Sequence, residues 1–232
     1  MGESRGKRLP KAFTDEELTD FFNEIRHSTD TGLRDRTMFE LMLGCGLRTS
    51  EVIAVKRADI DWTVGVVNVV RGKGAKDRAV PIPARTLDWM RRWDEKRARC
   101  SSFLHSTKGT VRNKRGTPLS ADAVQAQFRK YRERAGLRSN LTPHSLRHTL
   151  ATQRLRQHFD LREVQELLGH SNVATTQVYT HVSQAQLIEK TRRLDEQQSM
   201  DRAPSAEAVA LGSLLEQAGV TREQLLALLP EQ

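Results

Sequence analysis

Six side chains of this 232-residue chain are of types that could cleave a phosphodiester without a metal ion. Such cleavage needs cations on the nonbridging oxygens, a nucleophile that can lose a proton, and an acid for the leaving oxygen. Arginine, histidine, lysine and tyrosine can supply all three functions. The candidate catalytic residues are Arg48, Lys73, His144, Arg147, His170 and Tyr179. Each of them, taken alone, also has an ordinary structural interpretation as a surface cation or a residue at a helix end.

Two of the candidates are spaced for joint action. His144 and Arg147 are three residues apart and follow Pro143, a residue that suits the first turn of a helix. Because residues three apart on a helix share a face, both side chains could bind one phosphate, with His148 directed elsewhere. An exposed helix start with polar residues would give the same pair.

The elements that must position these residues are mostly helical by pattern. Thr14 and Glu17 have the spacing of a capping box, and apolar residues follow at helical intervals. Gly44 and Gly46 interrupt the second helix and place Arg48 at the start of a third. Helices are predicted over residues 15–27, 32–44, 49–55, 83–99, 120–135, 142–158, 161–168, 173–178 and 183–197, with Gly169 as a C-cap.

One β-hairpin is predicted among these helices. Residues 66–70 and 79–82 are rich in valine and isoleucine, and a basic, glycine-containing connection separates them. Lys73 lies in that connection. The expected fold class is therefore mainly α with a small antiparallel β-sheet.

The charge of the chain indicates a polyanionic partner. The net charge is +9 and the isoelectric point is near 10.0. Residues 71–138 hold 19 Lys and Arg against 6 Asp and Glu, whereas residues 199–232 hold 2 against 5. A solvated basic surface would give the same excess, so charge alone does not establish the function.

Composition excludes several other classes. Hydrophobic residues make up 37% of the chain, which is enough for a folded core. The only cysteines, Cys45 and Cys100, form no CxxC pair, so neither a disulfide framework nor a zinc site is expected. Cys45 is interpreted as a core thiol. Without a bilayer-length apolar segment or a signal-peptide pattern, the chain is expected to be cytoplasmic.

Several sequence segments together resemble two catalytic blocks and a β-hairpin of a known family. Residues 142–152, 167–171 and 175–182 resemble the second catalytic block of the tyrosine recombinases, also called the phage integrase family. Residues 44–52 resemble the first block, with Arg48 as its arginine and Glu51 as the companion acid. Residues 72–76 resemble the tip of the family's β-hairpin, with Lys73 at the position of its lysine.

The resemblance covers residues 12–198 and implies a mechanism as well as the recombinase catalytic-domain fold. Tyr179 would attack a DNA phosphate, leaving a 3′-phosphotyrosyl link and a free 5′-hydroxyl. Arg48 and Arg147 would bind the nonbridging oxygens, and Lys73 would protonate the 5′-oxygen. The resemblance assigns proton transfer near the tyrosine to His144 and a hydrogen bond to the phosphate to His170. It implies no cofactor and no metal ion.

Domains and partners are also implied by the resemblance. Residues 1–12 would be a basic arm, residues 13–198 the catalytic domain, and residues 199–232 an acidic amphipathic tail of unknown role. Family members usually carry an additional amino-terminal helical domain, so the chain is expected to be a catalytic-domain piece or a short member. The implied partners are double-stranded DNA and further copies of the chain, four on a DNA junction. The helix at 183–197 or the tail would dock on a neighbour, or else pack within its own chain.

Two alternatives share much of this pattern. A type IB topoisomerase uses the same chemistry to relax supercoils, and a non-catalytic relative would bind DNA without cutting it. The blocks around His170 and Tyr179 favour a recombinase over a topoisomerase, and six filled candidate positions disfavour a mere binder. Integration, transposition and resolution of chromosome dimers stay open as biological roles.

Overall fold

The computed structural model describes residues 12–69, 77–108, 115–169 and 184–202. Most of them are helical, in α1 (Asp15–Asn23), α2 (Asp30–Gly44), α3 (Thr49–Ala54), α4 (Ala84–Lys96), α5 (Ala121–Arg134), α6 (Pro143–Arg156), α7 (Leu161–Leu168) and α8 (Gln184–Arg202). The strands are β1 (Ile60–Asp61), β2 (Val66–Val69) and β3 (Arg78–Pro81), which form an antiparallel sheet in that order. The predicted fold class, mainly α with a small antiparallel sheet, is confirmed.

The chain divides into two compact units, residues 1–192 and 193–232. The first unit holds the elements from α1 to α7 and the beginning of α8. Of the second unit, the structure describes only the end of α8. No helix in the described ranges is long and apolar enough to cross a membrane.

The core of the first unit is built around α2, which packs against α4 and α6. Side chains on nearly every face of α2 are buried, charged ones among them. Four aromatic rings, of Phe13, Phe21, Phe39 and Phe128, contact one another with centroids 4.9 to 6.2 Å apart. Phe13 also donates its backbone N–H to Thr149 Oγ1 at 2.9 Å, which ties the beginning of the described chain to α6.

Local signals predicted most helix starts and missed some ends. Thr14 and Glu17 form the expected capping box, and Pro143 is the first residue of α6. The first helix ends at Asn23 rather than residue 27, because the chain turns there and buries Ile25 in the turn. α2 begins two residues earlier than predicted, since the Thr29 side chain caps it.

The hairpin was predicted, but the third strand was not. β2 pairs with β3 from Val66 opposite Pro81 to Val69 opposite Arg78. β1 contributes only two residues to the sheet, too few to show an alternating pattern in the sequence. The connection at residues 70–76, which includes Lys73, lies outside the described residues, as do the predicted helix at 173–178 and the amphipathic tail segments.

Candidate active site

Arg48 lies where the sequence predicted, as the N-cap residue of α3. Its backbone N–H and its Nη1 each donate to Glu51, to Oε2 and Oε1 respectively, both at 2.9 Å. Its Nη2 donates to the Gly169 carbonyl oxygen at 3.3 Å, at the end of α7. These bonds fix the orientation of the guanidinium. The side chain is 37% exposed, so the guanidinium is also accessible to solvent.

Arg147 lies on α6 and is buried, with a side chain only 3% exposed. Its Nη2 donates to the Leu168 carbonyl oxygen at 2.5 Å, and its Nη1 donates to the Gly46 carbonyl oxygen. The same Nη1 is 4.0 Å from Glu51 Oε2. Both candidate arginines are therefore bonded to successive carbonyls at the C-terminal end of α7, where the helix dipole stabilises positive charge.

Gly46 makes this approach possible. It adopts a positive φ of 62°, a conformation that glycine reaches without a Cβ penalty. A Cβ at this position would lie 2.6 Å from Leu168 Cδ2 and 2.8 Å from Leu150 Cδ2. The break between α2 and α3 therefore packs directly against α6 and α7 and points a carbonyl at Arg147.

Glu51 links the arginines to the sheet. Arg78, at the start of β3, donates Nη1 to Glu51 Oε1 and Nη2 to Oε2, both at 2.9 Å. Burial alone would raise the pKa of Glu51, but hydrogen bonds from Arg78 and from the Arg48 backbone outweigh it and lower that pKa to about 2. Glu51 is therefore ionised near neutral pH. Three guanidiniums surround this one carboxylate, which leaves an excess of positive charge suited to an anion.

The two histidines of α6 contact each other, which the sequence did not predict. His144 is exposed in the first turn, whereas Arg147 is buried in the second. The expectation that His148 points elsewhere is wrong, because its ring contacts that of His144 edge-to-face with centroids 4.6 Å apart. Residues four apart on a helix are neighbours, and here the two imidazoles pack together.

Tyr131, one of the two tyrosines of the chain, is poorly suited to nucleophilic attack. Tyr131 is only 4% exposed, and its hydroxyl donates a hydrogen bond to Asp35 Oδ2 at 2.9 Å. Burial and the neighbouring carboxylate raise the pKa of the Tyr131 phenol. The Tyr131 phenol is therefore neither accessible nor readily deprotonated.

Three of the six predicted residues, Lys73, His170 and Tyr179, lie outside the described residues. Their places in the chain relative to described elements are nevertheless fixed by sequence. Lys73 belongs to the connection between β2 and β3, His170 directly follows Gly169, and Tyr179 lies between α7 and α8. The described residues bring Arg48 and Arg147 together, and they add Arg78. Arg78 belongs by sequence to the basic connection of the predicted hairpin, and its pairing with Glu51 was not predicted.

Comparison with known proteins identifies the family. Residues 11–186, about three quarters of the chain, match the sequence profile of the phage integrase family. The chain belongs to the phage integrase family. Among curated proteins it is 42% identical over 180 residues to tyrosine recombinase XerC of Proteus mirabilis, covering 76% of this chain and 56% of that protein. It is 44% identical over 177 residues to tyrosine recombinase XerA of Thermococcus onnurineus, covering 76% and 60%.

Solved structures agree with this assignment. The crystal structure of XerA recombinase has a TM-score of 0.60 at 26% identity, covering 80% of this chain and 65% of that one. XerH site-specific recombinase bound to palindromic difH substrate has a TM-score of 0.59 at 25% identity, covering 89% and 56%. The chain thus spans less than two thirds of the length of these relatives.

Proposed function

We propose that this chain provides the catalytic part of a site-specific DNA recombinase, which cleaves and rejoins strands through a 3′-phosphotyrosyl intermediate on Tyr179. The observation that carries the proposal is the convergence of Arg48 and Arg147 on Glu51 and on the end of α7. Family membership and about 40% identity to named tyrosine recombinases support it.

The arginines are suited to bind a phosphate whose charge grows during the reaction. A guanidinium has five N–H donors, and the side-chain bonds of Arg48 to Glu51 and Gly169 engage only two of its nitrogens. With 37% of its side chain exposed, Arg48 can offer further donors to a nonbridging oxygen. Arg147 adds a second fixed positive charge from a buried position, where electrostatic interactions are stronger than in water.

In the proposed reaction one bond to phosphorus forms as another breaks, and two protons are transferred. The Tyr179 oxygen forms a bond to phosphorus while the bond from phosphorus to the 5′-oxygen breaks. A tyrosine phenol in water has a pKa near 10, so the nucleophile must lose its proton to attack, with His144 assisting the transfer. Lys73 gives a proton to the departing 5′-oxygen, and His170 donates a hydrogen bond to the phosphate. Because the phosphotyrosine keeps the bond energy, attack by another 5′-hydroxyl reseals DNA without a cofactor.

The proposed partners follow from this chemistry. The substrate is double-stranded DNA, consistent with the basic charge of the chain and with the structure of XerH site-specific recombinase bound to its palindromic difH substrate. Exchange between two duplexes requires four cleaved strands, so the active assembly is a homotetramer on DNA. In this proposal residues 13–198 form the catalytic domain, between a basic arm at 1–12 and an acidic tail at 199–232.

A covalent trapping experiment tests the function. The full chain is incubated with a pool of random-sequence duplexes that carry nicks, so that cleavage near a nick releases a short fragment and traps the adduct. Protein-linked DNA is recovered under denaturing conditions and sequenced. We expect adducts that share a sequence, none with Tyr179→Phe, and normal yield with Tyr131→Phe as the matched control. Absence of any adduct from the wild-type chain, or an adduct with Tyr179→Phe, refutes the proposal.

A further inference from the structure

We propose that Arg78 is a positioning residue for the strand-cleavage reaction. It holds the base of the hairpin that carries Lys73 against Glu51, and so aligns the proton donor with the two arginines that bind the phosphate. This inference rests on the proposed function. It assigns to Arg78 a role separate from that of the groups that touch DNA.

The contact between Arg78 and Glu51 is a buried fork. Two parallel N–H bonds of 2.9 Å join the guanidinium to both carboxylate oxygens, and each side chain is only 10% exposed. The remaining Nε of Arg78 is buried and has no acceptor in the part of the chain that the structure describes. Its two bonds to Glu51 therefore define the orientation of the side chain, and a fork fixes an angle as well as a distance.

The place of Arg78 in the sheet connects this fork to Lys73. Arg78 pairs with Val69 as the last described pair of the β2–β3 ladder, so the two residues close the connection at 70–77. Lys73 lies inside that connection, five residues before Arg78. The described supports of this base are the ladder on one side and the fork to Glu51 on the other, so in this proposal loss of the fork shifts the base and, through the chain, Lys73.

Glu51 passes the alignment on to the arginines. The same carboxylate binds the backbone N–H and Nη1 of Arg48 and lies 4.0 Å from Nη1 of Arg147. One anchor thus fixes three elements relative to one another: the start of α3, α6, and the hairpin base. Arg48 keeps Glu51 paired when Arg78 is absent. Arg78 also lowers the pKa of Glu51 by its hydrogen bonds and charge, but its distinct contribution is the fixed geometry of the fork at the hairpin base.

A sulfur-substituted substrate separates this role from phosphate binding. Replacing the bridging 5′-oxygen by sulfur makes the leaving group a thiolate. The pKa of the corresponding thiol, about 8.5 to 10, is far below the pKa of the alcohol that leaves from the oxygen substrate. The P–S bond breaks without protonation, so a defect in proton donation is relieved, whereas a defect in phosphate binding is not. The substrates are nicked duplexes of the sequence recovered by covalent trapping, with oxygen or sulfur at the cleaved position.

The measurement is the single-turnover rate of adduct formation by the full chain on both substrates. Misplacement of a reacting group by about 1 Å costs about 10²-fold, so we expect Arg78→Gln to slow cleavage of the oxygen substrate by about that factor. On the sulfur substrate its rate should return to within about threefold of wild type. Lys73→Ala should show the same relief from a loss of about 10²- to 10⁴-fold. Arg48→Lys should stay slow on both substrates.

Arg138→Gln is the matched control variant. Arg138 forms a similar fork with Glu17, at 2.6 and 2.9 Å, but joins α1 to the connection between α5 and α6. Its removal should lower stability without changing the ratio of the oxygen and sulfur rates. A role of Arg78 in folding alone would make Arg78→Gln behave in the same way.

The outcomes distinguish the inference from the proposed function. If Lys73→Ala is relieved by sulfur and Arg78→Gln is slow on both substrates or normal on both, recombination stands and the role of Arg78 is wrong. If Lys73→Ala is not relieved, Arg78 has no proton donor to align and the inference also fails. A wild-type chain without adducts refutes the function itself. Should Arg78→Gln not fold, Arg78→Lys keeps the charge but loses the fork, and its oxygen defect must likewise be relieved.

Discussion

Replacing Glu51 by glutamine tests the electrostatic centre of the candidate site. Glu51 is a buried carboxylate with Arg48 and Arg78 bonded to it and Arg147 at 4.0 Å. The glutamine has nearly the same shape but carries no charge, and its amide nitrogen cannot accept the bonds that an oxygen accepted. Glu51→Gln therefore leaves the arginines facing one another without an anion between them.

The lowered pKa sets the magnitude. Glu51 has a folded-state pKa of about 2 against an ordinary value of 4.5. A depressed carboxyl pKa contributes stability that is fully present above the unfolded value and is lost as the pH falls through the folded value. At about 1.36 kcal/mol per unit, ionised Glu51 contributes about 3 kcal/mol at pH 6 and about 1 kcal/mol at pH 3. Wild type should therefore lose about 2 kcal/mol over this interval that Glu51→Gln does not lose.

The assay is urea unfolding followed by tryptophan fluorescence at pH 6, 4.5 and 3 for both proteins. We expect the free energy of unfolding of Glu51→Gln to be about 3 kcal/mol lower at pH 6, with the gap narrowing to about 1 kcal/mol at pH 3. Glu17→Gln is the control, because Arg138 lowers the pKa of Glu17 at a more exposed place and the gap should be smaller. A gap that is the same at pH 6 and pH 3 would refute the assignment of Glu51 as the ionised hub.

The other predictions separate stability from activity. Arg48→Lys should slow adduct formation by about 10²- to 10³-fold and change stability by less than about 1 kcal/mol, because its side chain is 37% exposed. Arg147→Lys should lose both activity and about 1–3 kcal/mol in urea unfolding, since buried carbonyls lose a donor. Gly46→Ala should cost about 1–3 kcal/mol and reduce adduct formation, because a Cβ meets two leucine methyls at a positive φ; wild-type stability would contradict this. Lys190→Ala, which removes a 2.7 Å ion pair with Glu163, should cost less than about 1 kcal/mol by thermal melting, and a larger loss would mean that α8 depends on this pair.

Local chemistry explains why much of the fold could be predicted. The Thr14 and Glu17 capping box, the proline at the start of α6 and the glycine at the end of α7 act on their own backbone. Such signals need no knowledge of the rest of the chain. The start of α3 at Arg48 was predictable for the same reason, since glycines interrupt the preceding helix.

Long-range pairing explains what the sequence did not reveal. Arg78 and Glu51 are 27 positions apart, and nothing in the basic sequence of the hairpin marks Arg78 as a partner of Glu51. β1 is a two-residue strand that is recognised by its pairing with β2 and not by its own sequence pattern. The expectation for His148 was wrong for a different reason: adjacent residues such as Arg147 and His148 diverge on a helix, but residues one turn apart such as His144 and His148 are neighbours.

The backbone at the end of α7 orients both candidate arginines. The block around His170 was assigned a role because of its histidine, but the carbonyl oxygens of Leu168 and Gly169 in the same block accept hydrogen bonds from Arg147 and Arg48. Neutral carbonyls orient guanidiniums without cancelling their charge, whereas carboxylates would oppose the phosphate that is to bind. Among the described residues one glutamate faces three arginines, so the cluster keeps a net charge of plus two. That charge matches a phosphodiester which goes from one negative charge to two as the pentavalent state forms, and this is why backbone acceptors serve the proposed reaction better than a second acid would.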